Sequence, residues 1–278
     1  MRKIISSIIV LKMFIGIIFA TPLVWHSANV LNFKNFLFQA NFSHTKTCCR
    51  FDATSNRWQV LPDDQRTLTL SPEFMLGYGI LNKLEVKIAV PIAYKKKSIS
   101  STFGFGDLML KTRYNLINKK LIAATIAGAV VVPISSRNAN PQIDDHTFDA
   151  AIGWYLFIKE YKGFTTDFRF GYFYNGKTNS IKIGNMFEYF TKIDYKISPK
   201  FTPYLAFLGY IQNSNKNLTN NQLIPNSNRN RHNFQLGGIY KLNKELTMRA
   251  RILVPLKTIS QGGEIPSYSF GLDFWIIK

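Results

Sequence analysis

Cysteine is nearly absent from this sequence: its 278 residues include two, Cys48 and Cys49, adjacent in the chain. Neighbouring cysteines cannot cross-brace a fold, which excludes a disulfide-stapled domain, and two thiols fall short of the ligand set of a structural zinc site. They do not mark a lipoprotein either, because Thr45, Lys46 and Thr47 precede them in place of an apolar run. Acidic residues are also scarce, 16 against 35 Lys and Arg, for a formal net charge of +19. Long apolar runs are missing beyond the N-terminus. The stretch Leu121 to Ile134 is shorter than the roughly 20 residues that a membrane helix takes, and it is rich in β-branched side chains, so a helical membrane bundle is excluded.

What is abundant is aromatic: 23 Phe and 13 Tyr, more than an ordinary globule needs and in keeping with a surface that faces lipid. The first residues have the layout of an export signal. Arg2 and Lys3 form a basic start, Ile4 to Ala20 is apolar but for Ser6, Ser7 and Lys12, and Ala20 or Ala28 supplies the small residue for cleavage. The expected organisation is a signal peptide over 1–20, with cleavage as late as 28. An N-terminal segment over 21–66 holds an ill-defined first strand, and a barrel follows over 67–278.

From Thr67 onward the chain alternates with period two. Leu84, Val86, Ile88, Val90, Ile92 and Tyr94 share one face, and Glu85, Lys87, Ala89, Pro91 and Ala93 the other. Leu108, Leu110, Thr112, Tyr114 and Leu116 oppose Asp107, Met109, Lys111, Arg113 and Asn115. Leu246, Met248, Ala250, Ile252 and Val254 oppose Thr247, Arg249, Arg251 and Leu253, while Phe168, Phe170 and Tyr172 oppose Asp167 and Arg169. Each segment is a strand with one oily and one charged side.

Strand length separates a membrane barrel from a soluble sandwich. Sandwich strands average about 5 or 6 residues, whereas tilted membrane strands need about 9 to 11. The expected strands, near 67–80, 84–94, 104–117, 121–134, 146–158, 163–174, 181–197, 201–213, 232–242, 245–257 and 267–277, are mostly of the longer kind. Short links near Asn82, Asn118, Glu160, Ser198 and Asn243 alternate with longer ones near Ser98, Ser135, Asn175, Asn213 and Ser260, the pattern of periplasmic turns and outer loops. With the C-terminus inside, the Thr67 strand runs inward and needs a partner before it. The expected fold is therefore all-β: a transmembrane antiparallel up-and-down β-barrel of about twelve strands. Its first strand lies within Leu31 to Val60, with Leu31–Phe42 and Arg57–Val60 as rival candidates.

A basic excess in a soluble protein would suggest nucleic acid. Here the strand faces assigned to the lumen are nearly balanced. Lys87, Lys111, Arg113, Arg169, Lys182, Lys192, Arg249 and Arg251 stand against Glu73, Glu85, Asp107, Asp149, Asp167, Glu188, Asp194 and Asp273. The surplus, including Lys95 to Lys97, Lys119, Lys120, Arg137, Lys216, Arg229 and Arg231, is expected in loops, turns and the N-terminal segment. Loops of that sign suit the phosphates of lipopolysaccharide. Generic solvated charge is the plainer reading, and no nucleic-acid partner is expected.

Gly104-Phe105-Gly106-Asp107-Leu108, followed by Lys111 and Tyr114 and preceded by Val90-Pro91-Ile92, resembles the Gly-x-Gly-Asp-Leu element of the outer-membrane family labelled for the meta pathway of phenol degradation. Val130 to Pro133 matches a second strand of that family ending in proline. The resemblance spans Thr67 to Lys278 and implies an outer-membrane barrel with a transport role and no catalytic residues. Ile134 and Ser135 depart from the glycine usual after the second proline. At the C-terminus, Tyr268, Phe270, Leu272, Phe274 and Ile276 alternate to the end and resemble the terminal-strand signal read by the barrel assembly machinery, although the customary final aromatic is replaced by Lys278.

An outer-membrane hydrolase would need a serine, a histidine and a third group in register. His146 and His232, at the outer ends of strands near Ser135, Ser136 and Ser227, are the candidates, and rim residues are the plainer reading; His26 and His44 lie elsewhere. No cofactor and no metal cluster is expected. The expected function is a narrow pore for small, apolar solutes lined by Glu85, Lys87, Asp107, Lys111, Arg113, Asp167, Arg169, Arg249, Arg251 and Asp273, with inward Phe157, Phe173, Phe190 and Trp275 marking an apolar path or a filled interior. A structural or surface-interaction barrel is the alternative.

Overall fold

A computed structural model describes residues 30–135, 140, 141, 143, 146–178, 180–225 and 227–278. The expected signal peptide, Ser136 and Arg137 lie outside the described residues. In chain order the strands are β1 (Phe36–Asp52), β2 (Arg57–Val60), β3 (Thr67–Leu81), β4 (Leu84–Lys97), β5 (Ser100–Phe105), β6 (Leu108–Asn118), β7 (Ile122–Val132) and β8 (Asp149–Tyr161). They continue with β9 (Phe164–Tyr174), β10 (Ile181–Lys182), β11 (Met186–Tyr195), β12 (Phe201–Gln212), β13 (Lys216–Asn217), β14 (Arg229–Lys241), β15 (Leu246–Pro255) and β16 (Glu264–Ile277).

The wall is antiparallel throughout and closed. From β3 onward each long strand pairs with its neighbours in sequence, and β16 returns to β1 over the register Leu37↔Ile277 to Arg50↔Glu264. With β5 and β6 sharing one place in the wall, twelve strands complete the ring. Phe36 and Lys278 exchange both backbone hydrogen bonds, at 2.7 and 3.0 Å, so the two ends of the wall meet at the rim that carries the short turns.

Burial is inverted relative to a soluble domain. Outward-facing Leu76 is 57% exposed and Leu236 60%, whereas Glu85 and Asp273, which face inward, have no exposure. Large exposed apolar residues in every long strand form a continuous surface that only hydrocarbon solvates well. Aromatic pairs stand on it near the inner rim, Phe36 with Tyr78 and Phe164 with Tyr195, at ring-centroid distances of 4.7 and 4.6 Å. Tyr172 and Tyr174 stand near the outer rim.

The expected elements need four corrections. The first strand is β1, which takes in only part of Leu31–Phe42 and runs on to Asp52, while Arg57–Val60 is the return arm of its hairpin. Beyond Phe42 the outward side of β1 carries His44 and Lys46 and the inward side Ser43, Thr45 and Thr47, so no apolar alternation announces it. The single strand expected over 104–117 is broken at Gly106-Asp107: β5 pairs with the outer half of β4 and β6 with its inner half. The longer loop expected at Ser98–Thr102 is a tight turn, with Ser98 at φ 54°. Finally, the strand expected from 181 starts at Met186. Ile181–Lys182 instead pairs with Lys216–Asn217 in a separate two-stranded sheet that joins two loops, where Lys182 lies 3.7 Å from the Tyr174 ring and donates to the Asn175 carbonyl, outside the strand face that lines the lumen.

The turn containing Asn118 and the Asn243 turn share the rim that carries both chain ends of the wall. In a Cys48→Ser, Cys49→Ser background, cysteines placed at 118 and 243 should resist a membrane-impermeant maleimide in intact cells and react after the outer membrane is opened. Labelling of either from outside would reverse the orientation.

Candidate pore and its lining

Around the ring the inward positions change character from rim to rim. On β4, β6, β9, β11, β15 and β16 the inner half carries paired charges. Glu85 takes Lys87 at 2.9 Å and Arg113 at 2.6 Å; Asp167 takes Arg169 at 2.6 Å; Asp194 takes Lys192 at 2.8 Å; and Asp273 takes Arg249 at 2.6 Å and Arg251 at 3.2 Å. The pairing register produces these clusters. Glu85 lies directly opposite Arg113, and Arg249 opposite Asp273, so neighbouring strands deliver opposite charges to one level. Lys111 is acted on by the carboxylates of Glu73 and Glu188 from other strands. The Arg169 guanidinium also stands 4.2 Å from the Phe190 ring centroid, a cation–π contact in a desolvated place.

The segment that precedes β1 reaches into this inner belt. Leu31 is buried and its backbone N–H donates to Glu85 Oε2 at 2.5 Å. Lys34 N–H donates to the Gly79 carbonyl at 2.9 Å. Gly79 has to be glycine, since a Cβ there would collide with the Asn32 carbonyl.

Above the belt lies a cavity of about 280 Å³. Its wall combines apolar groups, Phe190, Leu208, Tyr210, Leu253 and Pro266, with the small hydroxyls of Ser43, Thr45, Ser71 and Ser269, and with the charged groups of Arg169, Glu188, Arg249 and Arg251 on the side of the belt. Glu73 lies on it too, buried and held at Oε1 by Asn41 at 2.7 Å.

The outer mouth is basic, which corrects the expected placement of charge. Lys95, Arg229 and Arg231 are buried side chains on inward positions of β4 and β14 rather than solvated loop residues. Both strands extend past the apolar band, and period two keeps every second residue inward after the hydrophobic signal has ended. Lys95 Nζ donates to the Ile143 carbonyl at 2.7 Å, and Arg231 Nη2 to the Glu264 carbonyl at 2.6 Å. The Glu264 carboxylate pairs with Arg50 at 2.7 Å. Beside it Cys48 and Cys49 pack with Ile265 and Trp58, and the Lys257 ammonium donates to Cys49 Sγ at 3.1 Å, a bond that holds its pKa above the usual lysine value.

Of the residues named in advance as lining, Glu85, Lys87, Lys111, Arg113, Asp167, Arg169, Arg249, Arg251 and Asp273 are brought to the inward face, most of them within the paired clusters. Asp107 is buried at the β5–β6 break, with Oδ1 accepting the N–H groups of Ile134 and Ser135 at 3.1 and 3.0 Å, so that oxygen caps loop backbone. Asp149 has a similar part, accepting from Thr147 Oγ1 and Gly176 N–H at 2.8 and 2.6 Å. Phe173 and Phe190 are buried inside. Among the described residues the hydrolase candidates do not assemble: Ser135 Oγ and His146 Nδ1 stand 3.5 Å apart with no carboxylate bonded to the ring, and Ser227 is held by Ile224 and Asn215. His232 faces outward, stacked on Phe207.

A closed twelve-strand wall, oily outside and ion-paired inside, with a cavity between its rims, defines a transmembrane β-barrel of the outer-membrane class. Solved structures of that class share its fold. An outer-membrane channel from Pseudomonas putida F1 superposes with a TM-score of 0.79 at 10% identity, covering 92% of this chain and 100% of that one. The NanC porin gives 0.53 at 9%, covering 87% and 98%, and the β-domain of the Bordetella autotransporter BrkA gives 0.50 at 8%, covering 87% and 99%. No curated protein matches the sequence. Residues 52–261 match the family described as "Putative MetA-pathway of phenol degradation", and the chain belongs to that family, as its Gly-Phe-Gly-Asp-Leu element led one to expect.

Burial decides which ion pairs matter. Replacing Arg249 and Arg251 with Leu strands Asp273, fully buried, and should cost about 3–5 kcal/mol, read as a lower melting temperature of the folded form on unboiled gels. Adding Asp273→Asn should recover much of the loss. Lys196→Ala, which breaks a rim pair whose side chains are 44% and 51% exposed, should cost at most about 1 kcal/mol. A more stable double mutant would mean that the two faces are reversed.

Proposed function

We propose that the protein is a narrow outer-membrane pore that admits small solutes of apolar or amphiphilic character in preference to bulk electrolyte. The observation that carries this reading is the cavity between the basic mouth and the ion-paired belt, walled by Phe190, Leu208, Tyr210, Leu253 and Pro266. Strand number points the same way. Eight-stranded barrels are filled by their own side chains and those of about 16 to 18 strands leave an aqueous channel, so a ring of twelve leaves a small bore. The inward guanidinium groups of Arg113, Arg169 and Arg249 and the seated Leu31 narrow it further.

Glu85, Lys87, Lys111, Arg113, Asp167, Arg169, Arg249, Arg251 and Asp273 form the constriction in this reading, and the cavity above it holds the solute. Outward-facing lysines at the outer ends of strands, such as Lys96 on β4, would contact lipopolysaccharide, whose phosphates match their sign, and the last strand would be the part read by the assembly machinery. Residues 1–20 would direct export. Catalysis has no part in this reading.

The basic mouth also sets ion preference. In planar bilayers with a KCl gradient, the pore should show a conductance well below that of a wide porin and a reversal potential displaced toward chloride. Lys95→Gln combined with Arg229→Gln should move that potential toward zero. A large conductance with no preference of sign would contradict the reading, and a protein that passes neither ions nor solute would be a structural barrel.

A further inference from the structure

Arg231 is seven per cent exposed, on the inward face of β14 near the outer mouth. Through Nη2 it donates to the Glu264 carbonyl at 2.6 Å, its Cζ lies 5.3 Å from the Trp58 ring centroid, and the Tyr210 hydroxyl approaches it from the paired position on β12. Nη1, buried as well, has no hydrogen-bond partner among the described residues. The Glu264 carboxylate, paired with Arg50 through Oε1 at 2.7 Å, attracts the guanidinium from nearby but makes no hydrogen bond to Nη1. A guanidinium shut away from water with part of its fork unfilled carries an uncompensated desolvation cost, since a donor without a partner loses its hydration and gains nothing. Oxygen of an anionic ligand is the natural complement, because planar carboxylates match the guanidinium fork in shape and charge.

The surroundings select among anions. Arg229, Lys95 and Lys97 line the same mouth and repel cations, while Tyr210, Leu208, Leu253 and Pro266 lie along the cavity that opens from Arg231 toward the inner belt. A bare inorganic anion would leave those apolar groups in contact with water. A molecule with a carboxylate at one end and a compact hydrocarbon body at the other satisfies both ends of the site.

We propose that Arg231, beside Trp58, is the docking point for the carboxylate of small amphiphilic monocarboxylic acids whose apolar body lies in the cavity below. This rests on the pore reading for the identity of the cavity, and it narrows the solute class from apolar in general to acids with one anionic head. Lipid phosphates and free phosphate share the head chemistry but not the compact apolar body.

The test is calorimetric titration of the full mature chain in detergent micelles with four probes: cyclohexanecarboxylate, cyclohexanemethanol, acetate and inorganic phosphate. Cyclohexanecarboxylate should bind saturably and about tenfold or more tighter than each of the others. Arg231→Gln should weaken it by about tenfold or more, the factor that loss of a charged hydrogen bond implies. Arg231→Lys, which keeps the charge without the fork, should fall between. Equal affinity for the acid and the alcohol in the unaltered protein would overturn the proposal whether or not the variants fold. Tighter binding of phosphate would overturn it in favour of a phosphate site, and acetate as tight as the ring acid would remove the role of the cavity. Absence of current in planar bilayers would count against the pore and leave the binding result standing, so the two failures are distinguishable.

Discussion

Hydrocarbon offers no hydrogen bonds, and a sheet that spans it therefore has to leave no edge. The pairing of β16 with β1 meets that demand. It joins the last strand to the first across almost the whole chain and gives β1 and β16, which would otherwise be the two open edges of the sheet, a second neighbour. The two register shifts in the seam, between Thr45 and Cys49, lie at its outer end, where β1 turns into the hairpin with β2 and water is again within reach.

Closure divides each strand between two solvents. Outside, Phe, Leu, Tyr and Ile replace water with lipid. Inside, charged residues are crowded into a space with little water, and they persist because opposite charges arrive at the same level from adjacent strands. Asp273 between Arg249 and Arg251, and Glu85 between Lys87 and Arg113, are the clearest instances. Such pairs contribute little net stability compared with an apolar filling, but losing one partner is costly, so the belt holds its composition.

Much of this was legible from period two alone. Glu85, Lys87, Lys111, Arg113, Asp167, Arg169, Arg249 and Arg251 alternate with oily residues, and that contrast assigns them to one face without any coordinates. Where the contrast fades, the reading fails. β1 presents serine and threonine inward and mixed residues outward beyond Phe42, so its length could not be seen. Lys95, Arg229 and Arg231 were assigned to loops because the apolar signal had stopped, although the strands had not. Asp107 follows the pattern in sequence, yet the break at Gly106 turns its Oδ1 toward the loop amides of Ile134 and Ser135. The seating of Leu31 on Glu85 joins residues 54 apart with no local trace, and only tertiary structure reveals it.

The resulting interior has three levels: a basic mouth, a pocket of mixed apolar and polar lining, and a belt of paired charge above a seated N-terminal segment. All three presuppose a sealed wall. Hydrogen exchange read by mass spectrometry on the micellar protein tests that seal most directly. The account predicts that amides of Phe38 to Ser43 and of Leu272 to Ile276, along the seam, exchange as slowly as those of Ile126 to Val130 on β7. Rapid exchange confined to the two seam strands, with the rest protected, would show an open sheet and contradict it.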